Sequence, residues 1–104
     1  MKLSVQDLKR VLNRLFEHLQ DKGVTEVELS RELYWVVPSN CLYDIDIPPG
    51  QIQLNVGDLS DDWNFVKELL KEDDEPVGFQ LTEAAPLVAA LGHWAAAELG
   101  KKGG

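Results

Sequence analysis

Val24-Thr25-Glu26-Val27-Glu28-Leu29-Ser30-Arg31-Glu32-Leu33-Tyr34-Trp35-Val36-Val37-Pro38 is the stretch on which the fold turns. Its first half alternates, Val27 and Leu29 against Glu26 and Glu28, as a half-buried strand does. Its second half is aromatic and β-branched and stops at Pro38, which cannot donate to a ladder. The short polar link Ser30-Arg31-Glu32 makes an antiparallel hairpin the simplest connection. Alternation sets Leu33 and Trp35 opposite Tyr34 and Val36, so both faces of the second strand are apolar or aromatic. Such a strand is either buried on both sides or offers one side for docking.

On the N-terminal side, Val5, Leu8, Leu12, Leu15 and Leu19 recur at spacings of three and four, with Val11 and Phe16 widening the stripe. This predicts an amphipathic helix over residues 5–22, capped by Ser4 and stopped at Gly23 in the left-handed conformation. On the C-terminal side, residues 39–50 form a connector broken by Pro48-Pro49-Gly50, with one helical turn at Ser39-Asn40-Cys41-Leu42-Tyr43. Ile52, Leu54 and Val56 alternate with Gln51, Gln53 and Asn55 as a third strand ending at Gly57-Asp58. Asp58-Leu59-Ser60-Asp61-Asp62 starts a helix running to about Glu72, its acids suiting the positive end of the dipole. Asp73-Asp74-Glu75-Pro76 is a charged turn. The apolar segment 77–99 is helical, with Pro86 either in the first turn of a helix starting near Thr82 or kinking a longer one.

The expected architecture is therefore α+β: one domain over residues 1–99, ordered helix, β-hairpin, strand, helix, helix. A three-stranded, largely antiparallel sheet carries its helices on one face. Residues 100–104, Gly-Lys-Lys-Gly-Gly, have the composition of a flexible tail. The terminal Gly103-Gly104 resembles that of ubiquitin-like carriers, but this chain opens with a helix and enters its tail from an Ala-rich helix.

Tyr34-Trp35-Val36-Val37-Pro38, Leu42-Tyr43-Asp44, Gly57-Asp58-Leu59-Ser60-Asp61-Asp62-Trp63 and Pro76-Val77-Gly78 together resemble a group of small uncharacterised bacterial proteins, over about residues 24–92. The resemblance implies a bacterial, cytoplasmic origin and carries over no activity, cofactor or functional residue.

The 104 residues are enough for one ordinary domain, and 44% hydrophobic residues are enough for one core. No apolar run approaches a bilayer span, and Asp7, Lys9 and Arg10 interrupt any secretory signal. A lone Cys41 excludes an internal disulfide, so a reducing, cytoplasmic location is expected. The net charge of −8 is localised. Asp44, Asp46, Asp58, Asp61, Asp62, Glu68, Glu72, Asp73, Asp74 and Glu75 face only Lys67 and Lys71 in that stretch. Of the 18 acids and 10 bases in the chain, eight of each remain outside it. Nucleic-acid binding is disfavoured, because phosphate affinity comes from clustered Lys and Arg. A basic protein is the electrostatic complement.

Candidate chemistry reduces to few residues. Cys41 has no nucleophile signature around it, and His18 and His93 lie in separate helices, so each reads as a packed or surface residue. One cysteine and two dispersed histidines do not make a structural zinc site. Asp44-Ile45-Asp46 begins like a calcium loop, but Pro48 and Pro49 take its fifth and sixth positions and Asn55 replaces the bidentate Glu. Asp58 paired with Asp61 or Asp62 could act as acid and base or hold Mg²⁺, yet capping and dipole complementarity at a helix N-terminus explain these acids without catalysis. No glycine-rich phosphate loop is present. Neither a metal nor a cofactor is expected.

The leading expectation is a non-enzymatic interaction module, with an antidote-like role toward a basic partner as its concrete form. Its contacts would be Tyr34, Trp35, Tyr43, Asp44, Asp46, Asp58, Asp61, Asp62, Asp73, Asp74 and Glu75. The alternatives are a small metal-dependent or carboxylate-using enzyme and a subunit that homo-oligomerises through its sheet.

Overall fold

The first helix is built as its residues dictate. In a computed structural model describing residues 1–71, 75, 76 and 78–102, α1 spans Val5–Asp21. Ser4 caps it, its Oγ accepting from the Asp7 amide at 3.1 Å. Gly23 takes φ +84°. The Gly23 amide then donates to Gln20 at 2.9 Å and the Val24 amide to Leu19 at 3.0 Å, closing the helix end in a Schellman motif.

The sheet differs from expectation. Among the described residues it has two strands, β1 (Leu33–Val36) and β2 (Asn55–Asp58). They run antiparallel, with Leu33 opposite Asp58, Tyr34 opposite Gly57, Trp35 opposite Val56 and Val36 opposite Asn55. The Leu59 amide donates to Glu32 at 2.7 Å and carries the pairing one step further. The expected hairpin and three-stranded sheet are absent, because residues 24–29 join no ladder. The helix-ending turn directs that segment along α1, where Val24, Thr25 and Val27 border a pocket with Phe16, Leu19 and Leu91. The half-burial of Val27 and Leu29 between exposed Glu26 and Glu28 produces the alternation without any strand partner.

The second strand also starts later than expected. A 3-10 turn at Pro49–Gln51 engages the Gln51 amide with Pro48 at 2.9 Å and the Ile52 amide with Pro49 at 3.2 Å. Those donors are thereby lost to a ladder, and of the alternating Ile52, Leu54 and Val56 only Val56 lies in β2. The single helical turn in the connector forms as α2, Ser39–Leu42.

Helix α3, Leu59–Val66, is capped by Asp58, whose Oδ1 accepts from the Ser60 amide at 2.9 Å. It tightens into a 3-10 turn at Lys67–Leu70, while Glu72 lies outside the described residues. Helix α4 runs Gln80–Lys102, with Pro86 inside it rather than in its first turn. It begins earlier than Thr82 and continues through Gly100 to Lys102; Gly103 and Gly104 lie outside the described residues. Helices α3 and α4 pack together, and the Phe65 and Phe79 rings stack at 5.6 Å. At their junction sit Leu59 and Asp62, the two buried residues among those described.

Candidate functional site

The inward face of the sheet and the two C-terminal helices enclose a small polar cluster. Tyr34 projects from β1 across its partner Gly57, where an added Cβ would overlap the tyrosine ring. The glycine leaves the ring lying flat over the strand, so that its Oη reaches Asp62 Oδ2 at 2.5 Å. Asp62, in the first turn of α3, is 6% exposed. Glu83, in the first turn of α4, hydrogen-bonds the same carboxylate.

Three acidic or phenolic groups thus converge, and the electrostatics follow. The bond to Asp62, reinforced by desolvation and by the neighbouring negative charge, raises the Glu83 carboxyl above its ordinary value. The protonated form of Glu83 is thereby favoured relative to a free glutamate. Desolvation, together with the bond to Asp62, pushes the Tyr34 phenol up, so it stays a donor at physiological pH. The cluster joins one phenol and two carboxyl groups. It also ties sheet, α3 and α4 together at one point.

The remaining acids do not join it. Asp44 Oδ1 accepts from the Asp46 amide at 3.2 Å in an exposed turn. Asp58 is committed to capping α3, and Asp61, one residue before Asp62, is exposed. Glu75 is exposed, while Asp73 and Asp74 lie outside the described residues. Of the residues expected to meet a partner, Tyr34 and Asp62 are brought together from distant parts of the chain and turned inward, while Asp44 and Asp46 meet only within their own local turn. Glu83 was missed by the sequence reading. An isolated acid near the start of a helix is already explained by the dipole, so nothing in the linear pattern marked it out.

The outward face of the sheet is a different surface. Trp35 is 70% exposed, and Leu33 and its cross-strand neighbours Val56 and Asp58 share that side by register. Tyr43 and Ile45 are also exposed in the connector beyond α2. Sequence alternation left open which face was covered; the burial pattern of β1 puts Leu33 and Trp35 outside.

Cys41 is half-buried beside Asn40. His18 and His93 are exposed, on α1 and α4. Among the described residues no group of three or more His, Cys, Asp and Glu side chains is placed to hold a metal ion, and no helix is long and apolar enough to cross a membrane.

These features define a small α+β protein with, among the described residues, a two-stranded antiparallel sheet and four α-helices. No protein-family model, curated protein or solved structure matches the chain.

Proposed function

We propose that this chain acts as a non-enzymatic interaction module that meets a basic protein partner through the outward face of its sheet. The observation that carries this reading is Trp35. It stands 70% exposed with Leu33 and Val56 beside it, on a two-stranded sheet whose other face is already occupied. Exposed tryptophans flanked by apolar neighbours are the usual anchors of protein interfaces. Acids on the exposed connector and at the start of α3, among them Asp44, Asp46 and Asp61, supply a negative surround for a basic partner. In this reading the setting is a bacterial cytoplasm, and an antidote-like role toward a basic effector is its most specific form.

Binding also accounts for the acids better than catalysis does. Asp44 and Asp58 are used in local turns and caps, and Asp62 is covered by Tyr34. Affinity capture with the full chain and with Trp35→Ala, at low and high salt, tests the reading. A basic protein retained by the wild type, lost on raising the salt and lost with W35A, is expected. Recovery of no basic protein, or retention indifferent to both salt and W35A, overturns it.

A further inference from the structure

The apolar face of α1 has no use in the folded chain that matches its regularity. Val5, Leu8, Leu12, Leu15 and Leu19 fall at alternating three- and four-residue steps, the seam of a paired helix. The C-terminal half of this seam faces α4. Leu12, Leu15, Phe16 and Leu19 border an apolar groove of about 230 Å³ whose other wall is Val88, Leu91 and Ala95 of α4. Val5 is 81% exposed and Val11 53%. A helix of this length with its apolar side in water is marginal by itself.

Area and charge identify the occupant. The accessible surface is 9122 Å², whereas a compact monomer of 11.6 kDa exposes about 5,800 Å². The excess, roughly 3,000 Å² per chain, is ample for the about 1,000–2,500 Å² that each partner of an obligate homodimer buries. The charges of α1 balance: Asp7, Glu17 and Asp21 against Lys9, Arg10 and Arg14. They are also polarised, with the three bases in the first ten residues of the helix and Glu17 and Asp21 in its last turns. An antiparallel partner of identical sequence sets each basic half beside an acidic half and opposes the helix dipoles. The net charge of −8 resides in residues 44–75, so two copies meeting through α1 do so across a neutral surface.

We propose that α1 is the interface of a homodimer, two copies pairing antiparallel about a two-fold axis. In the register that layers Leu12 on Leu15 and Leu8 on Leu19 of the second copy, the turn bearing Arg10 lies beside the turn bearing Glu17. The α1–α4 groove of each copy then flanks the seam. This surface is separate from the Trp35 face and does not depend on a basic partner.

Light scattering during size exclusion of the purified full chain, at micromolar concentration, tests it. The wild type is expected at about twice the chain mass. Leu8→Glu places a charge in the seam of α1 and should halve that mass while far-UV circular dichroism keeps its helical signal. Gln6→Glu adds the same charge beside the seam and should leave the dimer intact. A monomeric wild type overturns the proposal and assigns the face to another molecule. A dimer that survives L8E overturns it too, placing self-association on the sheet or elsewhere. If L8E loses its helical signal, Val11→Glu, at a more exposed position, replaces it under the same criteria. Neither failure touches the Trp35 reading, which W35A capture decides independently.

Discussion

Tyr34, Gly57 and Asp62 form one device, and each is needed for the other two. The ring occupies the space a side chain at residue 57 would take, and its hydroxyl supplies the buried carboxylate with a donor. Tyr34→Phe keeps the ring and removes the donor, leaving Asp62 short of a partner; chemical denaturation should show a loss of about 1–3 kcal/mol. Gly57→Ala should cost a comparable amount by displacing the ring, and combining it with Y34F should add little, because both break the same contact. Full additivity in that cycle would separate the two roles. Glu83 gives a pH signature. Its folded-state pKa lies above the ordinary 4.5, so its contribution to stability is complete below that value. The contribution is lost as pH rises through the raised folded value. Glu83→Gln keeps a donor toward Asp62 without ionising. Thermal melts across the acid-to-neutral range should show the wild type falling relative to E83Q as pH climbs; parallel profiles would refute the assignment. None of these three contacts was visible in the sequence, since Tyr34, Asp62 and Glu83 meet only after the chain has folded.

At the level of elements, legibility followed locality. Helix α1 was readable from its stripe, its Ser4 cap and its Gly23 stop, all determined within a few residues of the chain. The start of α3 was readable for the same reason, through the Asp58 cap. The strands were not, because a ladder partner is a distant segment. Residues 24–29 carry a strand's alternation yet lie along the helices, whereas β1 pairs with a segment reached only through the whole connector. Helix α4 shows the reverse case, tolerating Pro86 and Gly92 where propensity argues against both. At Gly92 an added Cβ meets nothing within 4 Å. Gly92→Ala should therefore stabilise the chain by about 0.5–1 kcal/mol, through reduced backbone entropy in the unfolded state. A loss measured in the same denaturation assay would mean that something closes on the α1–α4 groove there.

The whole molecule is open for its length. Its radius of gyration is 16.0 Å, against about 13 Å for a compact chain of this size. With Leu59 the one buried apolar residue among those described, most of the 44% hydrophobic content is spent on surfaces rather than on an interior. In the proposed dimer folding and association are coupled, and association follows mass action. The melting temperature should accordingly rise with protein concentration in the wild type and become independent of it in Leu8→Glu. A concentration-independent wild-type melt, followed by differential scanning calorimetry, would contradict an obligate dimer.

Sequence by itself determined the α+β class, the first helix with both its caps, the capped start of α3 and the confinement of the net negative charge to residues 44–75. Each of these is set by neighbouring residues or by simple composition. Only the tertiary structure decided that the sheet has two strands among the described residues, that Trp35 faces outward while Tyr34 faces in, and that Glu83 lies close to Asp62. Those outcomes depend on which distant backbone supplies a hydrogen-bond partner and which side chains are covered. A one-dimensional pattern records that a residue will be buried, and leaves open what buries it.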